Sequence, residues 1–214
     1  MQNEIKIIAF DLDGVLFDGP SAAFPVAHAL GLGEKFLRIM KENQIKKLSL
    51  TESIIEGSKI WRGIPVDGTL DSLIESLPLM SGAEETIHEL LNRGYVVGCI
   101  SSGVSQFFLK PFKKRLGLHF AYSNVLGEDD GKHDGEVQYV MGGPQKVERA
   151  REYLEKMQLQ KDHFACIGDG ENDIDLFHFA GFSIAFNPES EMVSEAADVT
   201  VRSKDLRDIL EYFS

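Results

Sequence analysis

Residues 7–18, Ile7-Ile8-Ala9-Phe10-Asp11-Leu12-Asp13-Gly14-Val15-Leu16-Phe17-Asp18, run four apolar side chains straight into two carboxylates. An apolar run this short, extended back to Ile5, fits a strand buried on both faces, as in a parallel sheet covered by helices. Asp11 and Asp13 then stand at its carboxyl end, where open α/β sheets bind their ligands. Two carboxylates one residue apart can aim at one crevice, which is costly unless a cation or a proton separates the charges. The plain alternative for the same residues is an Asp-Gly turn.

Working outward, four more short apolar runs read as strands: Tyr95–Ile100, Tyr122–Leu126, Phe164–Ile167 and Phe182–Phe186, with a sixth strand at Asp198–Val201. Helical patterns separate most of them. Ser81-Gly82-Ala83-Glu84 reads as a capping box opening a helix with Ala83, Ile87, Leu90 and Leu91 inward, ended by Gly94. Pro144 opens another through Val147, Ala150, Leu154 and Met157. Asp173–Ala180 is a short helix stopped by Gly181, and Leu206–Phe213 is a final one. This alternation predicts an α/β fold with a Rossmann-like parallel sheet. A hairpin from Val125-Leu126-Gly127-Glu128-Asp129-Asp130-Gly131 to Val137–Val140 belongs at an edge. Residues 19–79 hold no convincing strand but three helical candidates, Gly33–Asn43, Thr51–Trp61 and Val66–Leu77. That is too long for one crossover and predicts an inserted helical subdomain. The expected organisation is a core of residues 1–18 and 80–214 with a helical insertion at 19–79.

Composition bounds the function. The 214 residues carry 34 acidic side chains against 22 Lys and Arg, a net charge of −12, with 43% hydrophobic residues. Such a chain can bury a substantial core, and its charge disfavours a nucleic-acid partner. No apolar run approaches the roughly 18 residues of a membrane span, and the N-terminus lacks the basic leader of a signal peptide. Cys99 and Cys166 lie in separate buried-strand runs, which fits small core side chains in a reducing cytoplasm.

Three further stretches carry chemistry. Phe164-Ala165-Cys166-Ile167-Gly168-Asp169-Gly170-Glu171-Asn172-Asp173 ends another strand in acids, and Asp169 and Asp173 are suited to a hard cation such as Mg²⁺. The alternative is a Gly-Asp turn with a helix cap. Ile100-Ser101-Ser102-Gly103 ends a strand in hydroxyls and a glycine, which can offer O–H and N–H groups to a phosphate. Lys146 stands near a helix start, where a solvated lysine is the ordinary reading.

Taken together and in order, DxDG, the strand-end serines, the lysine and GDGxND resemble the haloacid dehalogenase superfamily, and within it the phosphoserine phosphatase branch. The resemblance covers almost the whole chain and is strongest from Ser81 onward. It implies a Mg²⁺-dependent phosphomonoester hydrolase with a helical cap between the first and second motifs. Asp11 resembles the nucleophile that becomes an aspartyl phosphate, and Asp13 the general acid/base. Asp11, the backbone carbonyl of Asp13, Asp169 and Asp173 are implied Mg²⁺ ligands or supports. Ser101, Ser102, Gly103, Lys146 and Asn172 are implied phosphate or substrate contacts. The chain departs from the branch at Gly14 and Val15, which replace Ser and Thr, at Pro20, in place of a glutamate, and at Gly57, in place of a cap arginine.

The expected partner is therefore a small phosphorylated metabolite, with phosphoserine the first candidate. A phosphotransferase that passes the phosphoryl group to an alcohol shares the same acids. A non-catalytic binding or receiver-like protein on this scaffold is the reading from a different class.

Overall fold

The computed structural model describes residues 4–214, so the first three residues of the expected core segment lie outside the described residues. Its strands are β1 (Ile7–Phe10), β2 (Val96–Ser105), β3 (Phe120–Asp129), β4 (Lys132–Tyr139), β5 (Phe164–Gly168), β6 (Phe182–Phe186) and β7 (Val199–Val201). They form one sheet in the order β4-β3-β2-β1-β5-β6-β7. β1 is central and pairs in parallel with β2 and β5. Only the β3–β4 pair is antiparallel, which puts the hairpin at the edge as expected. Its turn, Asp130-Gly131, has φ of 49° and 71°, the left-handed pair that suits the twist of a two-residue hairpin loop.

The helices are α1 (Ala23–Ala29), α2 (Gly33–Lys46), α3 (Leu50–Ser58), α4 (Asp71–Glu75), α5 (Ala83–Asn92), α6 (Gln106–Leu116), α7 (Gly143–Met157), α8 (Ile174–Phe179) and α9 (Glu191–Ala196). Strand alternation divides the core between the two faces of the sheet. Ile8 and Phe10 pack with Ile87 and Leu90 of α5 and with Phe108 and Phe112 of α6. Ile7 and Ala9 pack with Ala150 and Leu154 of α7 and with Leu176 and Phe177 of α8. Both faces are covered, so β1 reads as a continuous apolar run rather than an alternating one.

Several local expectations change. The capping box at Ser81 does not form: Gly82 takes the N-cap of α5 with φ 75°, and the Ser81 carbonyl accepts from the Leu206 amide at 2.8 Å. Docking of the C-terminal segment overrides the local pattern. The same Ser-x-x-Glu spacing does cap α3, where Ser49 and Glu52 exchange hydrogen bonds. The C-terminal helix is a 3₁₀ helix, Leu206–Tyr212, with Leu206 and Ile209 buried at three-residue spacing. Met157, expected inward, is 40% exposed at the end of α7. The helix expected at Val66–Leu77 contracts to α4, because the Asp67 side chain bonds the Thr69 amide and hydroxyl and holds a turn. α6 was not legible in advance, since Pro111 sits inside it and interrupts a helical reading.

The helices between β1 and β2 leave and rejoin the sheet side by side. Phe17 bridges Leu79, and the Met80 amide donates to the Leu16 carbonyl at 2.9 Å. Beyond that junction the segment leans on the hairpin. Gly63 and His133 donors meet the His133 and Ile64 carbonyls at 2.7 and 2.9 Å, and the Val66 amide donates to Gly131.

Candidate active site

The carboxyl ends of β1, β2 and β5 meet at the middle of the sheet, and the acids follow directly. Asp11 directly follows β1, its amide donating to the Ile167 carbonyl at 2.8 Å. The bond ties the first acidic segment to the strand that delivers the second. Asp169 follows β5, and the short turn after it brings back Asp173, whose Oδ2 accepts the Asp169 and Gly170 amides at 3.1 and 3.2 Å. One carboxylate oxygen each from Asp11, Asp169 and Asp173 lies within 4.8 Å of the others.

Lys146 runs into this cluster from the first turns of α7. It is fully buried, its Nζ donating to Asp11 Oδ1 at 2.9 Å and to Asp173 Oδ1 at 2.7 Å. A buried ammonium this placed is not a solvated lysine. Burial opposes its charge, but the attraction of Asp11 and Asp173 prevails and raises its pKa. One cation does not neutralise the group. Burial, then Asp173 and Asp13, push Asp11 up to about 7 against the pull of Lys146. Burial, then Asp11, Asp173 and Glu189, push Asp169 up to about 8. The oxygen-only donor set and its unbalanced negative charge fit a hard divalent cation.

Asp13 faces the same crevice from another side. Its Oδ1 accepts the Ala22 amide at 2.6 Å, and burial raises its carboxyl to about 6. Two glycines allow the close approaches. A Cβ at Gly103 would overlap Asp13 Oδ2, and one at Gly14, where φ is +72°, would overlap Asp169 Oδ2. The motif-one glycine is therefore required both by backbone conformation and by the neighbouring acid.

Ser101 and Ser102, expected at a strand end, lie within β2, which runs on to Ser105 past the residues paired with β1, and both are buried. Ser101 Oγ accepts the Gly103 amide at 3.2 Å, and Ser102 Oγ accepts from Asn172 Nδ2 at 3.2 Å. The structure thus brings every residue singled out from the sequence (Asp11, Asp13, Ser101, Ser102, Gly103, Lys146, Asn172, Asp169 and Asp173) to one crevice. Sequence reasoning missed Asn124 in β3. Its Nδ2 donates to the Ser102 and Val104 carbonyls at 2.7 and 3.0 Å, and its Oδ1 accepts the Met141 amide at 2.8 Å. It ties the serine segment to the approach to α7, which carries Lys146. The available signal was a polar Ser123-Asn124 pair inside an otherwise strand-like run.

A cavity of about 300 Å³ opens from Asp13, Ser102 and Gly103 toward α1–α4 and the hairpin. It adjoins the acids and is large enough for a small organic molecule.

A model of the haloacid dehalogenase-like hydrolases matches residues 5–181. The chain is 34% identical to a phosphoserine phosphatase of Methanocaldococcus jannaschii, with 99% of each chain covered. It is 32% identical to one of Wolinella succinogenes over 97% of this chain and all of the relative. Among solved structures, a phospho-aspartyl intermediate analogue of phosphoserine phosphatase superposes with a TM-score of 0.81 at 32% identity, covering 99% of this chain and 100% of the other. A substrate-bound phosphoserine phosphatase complex superposes with the same score at 31% identity and the same coverage.

Proposed function

Because the chain belongs to the haloacid dehalogenase-like hydrolases and is a phosphatase of their phosphoserine phosphatase-like branch, we propose that Asp11 and Asp13 carry its phosphomonoester hydrolysis and that Asp11 becomes the aspartyl phosphate. The observation that carries this reading is the pair of acids in opposed settings. Asp11 is held by a buried lysine within an acid cluster, while Asp13 stands across Gly103 on an amide of its own.

An Asp11 carboxylate oxygen attacks phosphorus, and the bond from phosphorus to the alcohol oxygen breaks. Asp13 delivers its proton to the departing alkoxide, a role suited to a carboxyl raised to about 6. Asp13, now ionised, takes a proton from the water that attacks the aspartyl phosphate, which regenerates Asp11 and releases phosphate. Lys146 orients the Asp11 carboxylate and balances charge on the phosphoryl oxygens. The Ser101 and Ser102 hydroxyls, the Gly103 amide and Asn172 are positioned to receive the phosphate. Asp11, Asp169 and Asp173, with the Asp13 carbonyl, would hold Mg²⁺, which when bound supplies the positive charge that lets a carboxylate approach a phosphate dianion.

Residues 19–79 act as a cap over a core formed by the rest of the chain, a division supported by the Phe17–Leu79 junction and the cavity beneath the helices. Phosphoserine, the substrate in the relatives' names, is the first small metabolite to assay. Two buried thiols and no disulfide among the described residues support a cytoplasmic location. Among the described residues no helix is long and apolar enough to cross a membrane.

The test is Mg²⁺-dependent release of phosphate from p-nitrophenyl phosphate and phosphoserine by the wild type and Asp11→Asn. The variant should lose at least about 10³-fold in kcat, the scale of removing an essential nucleophile. Activity within tenfold of wild type overturns the nucleophile assignment.

A further inference from the structure

The cavity beyond Asp13 has a wall chemistry that defines what it accepts. The wall is mainly apolar, with Phe36, Ile54, Trp61, Val66, Leu70 and Phe108 among its side chains, and among the described residues no lysine or arginine lines it. Lys59 and Arg62, the nearest cations in sequence, turn elsewhere. Lys59 Nζ pairs with Glu56 at 2.6 Å, and the Arg62 stem packs over Gly135. Among the described residues His133 is the one basic side chain on the wall, and burial holds it below its ordinary range.

Some polar side chains on the wall are committed within the protein, while Ser21, Ser53 and Ser105 add small hydroxyls to it. Ser58 Oγ donates to the Ile55 and Gly135 carbonyls, and Asn124 is saturated by its strand contacts. Besides Asp13, the described part of the wall carries one further carboxyl, Asp71, half-exposed in the first turn of α4. A substrate carboxylate in this space would lose its water and meet no cation, a large penalty for a buried anion. Even the mouth is apolar, with Met40 and Leu50 exposed at 37% and 44%.

Resting on the phosphatase reading above, we propose that the preferred substrate is the phosphomonoester of an uncharged, apolar alcohol of about five to eight carbons. The size follows from the volume: about 300 Å³ holds on the order of ten water-sized groups at about 30 Å³ each. The phosphate stays at Ser102 and Gly103 while the carbon skeleton enters the cavity, so binding comes from buried apolar area. Each methylene taken from water then raises kcat/KM about fourfold until the space is filled.

The experiment compares kcat/KM, with Mg²⁺, for ethyl, butyl and hexyl phosphate, 2,3-dimethylbutyl phosphate, O-phospho-L-serine and O-phosphoethanolamine. Alkyl esters keep the leaving group comparably poor throughout, so differences report recognition. The dimethylbutyl ester repeats the phosphoserine skeleton with a methyl in place of its ammonium and an isopropyl in place of its carboxylate. The expected result is a preference of at least tenfold for this ester over phosphoserine, with a rising alkyl series. A ratio below ten, a flat series, or phosphoethanolamine as the best substrate overturns the proposal and leaves the phosphatase reading standing. Failure to hydrolyse any ester, p-nitrophenyl phosphate included, overturns that reading and this one with it.

Discussion

Replacing Lys146 by methionine removes a charge while nearly conserving length and volume, so it isolates electrostatics from packing. In the wild type the ammonium lies 2.9 Å from Asp11 and 2.7 Å from Asp173, with no solvent access. Without it, three carboxylates within 4.8 Å of one another lose their shared cation, and Asp173 keeps only its two backbone amides. Breaking a buried ion pair from one side costs about 3–5 kcal/mol. At roughly 2–4 °C per kcal/mol for a chain of this size, melting should fall by about 6–20 °C in the metal-free protein at pH 8. The acids can escape by binding protons. Asp11 and Asp169 already sit at about 7 and about 8 with Lys146 pulling them down, and its loss raises them further. Below the unfolded carboxylate value of about 3.9 both states are protonated and the deficit vanishes. Between that value and about 7 the folded wild type and variant keep the same protons, so the deficit opens only as pH passes the wild-type folded values of about 7 and about 8, where the wild type ionises and the variant does not. Urea and thermal unfolding of Lys146→Met and wild type in EDTA, at pH 5 and pH 8, measure this directly. A loss under about 1 kcal/mol at pH 8, or one of equal size at both pH values, refutes the account of Lys146 as the counter-charge of a buried acid cluster.

The remaining predictions concern the groups around that cluster. Gly103→Ala places a methyl against Asp13 Oδ2; it should lower kcat about 10²-fold with the circular dichroism spectrum retained, the scale of an ångström-level misplacement, and an unchanged kcat contradicts the placement of Asp13. Asn124→Ala leaves the Met141 amide and two strand carbonyls short of partners; urea unfolding should show a loss of about 1–3 kcal/mol, and a neutral result would mean that solvent replaces the side chain. The metal-free wild type should become less stable as pH rises from about 4 to about 8, because Asp11 and Asp169 are raised in the folded state. Added Mg²⁺ should therefore raise the melting temperature more at pH 8 than at pH 5, and an increment independent of pH counts against a carboxylate site.

Much of the fold was legible because parallel strands covered on both faces announce themselves as unbroken apolar runs. Phe182–Phe186 coincides with β6, and β1 and β5 differ from the expectation by only a residue or two. Where an element's shape depends on a distant partner, local pattern misled. Ser81 has the capping spacing, yet the Leu206 amide and the left-handed Gly82 set that helix start. The acids were readable because they follow the apolar runs of β1 and β5, and the serines and Lys146 only through the recurrent order in which they accompany those acids. Asn124 was not, since its work is to hold two other segments together and its own neighbours in sequence say nothing about them.

Through its resemblance to a known family the sequence implied the class of reaction, and by itself it determined the sheet and the acids at its carboxyl edge. Those are consequences of strand periodicity and of residue chemistry at fixed spacing, which no packing alternative rearranges without turning the apolar faces to water. The tertiary structure alone decided the charge state of the centre and the character of the space beside it. Lys146 looks like any surface lysine until α7 buries it against Asp11 and Asp173. Lys59 and Arg62 stand close to Gly57 in sequence, yet in the fold Lys59 pairs with Glu56 and Arg62 packs over Gly135, and neither lines the apolar wall. A charge has one energy in water and another in a cavity, and only folding says which it has.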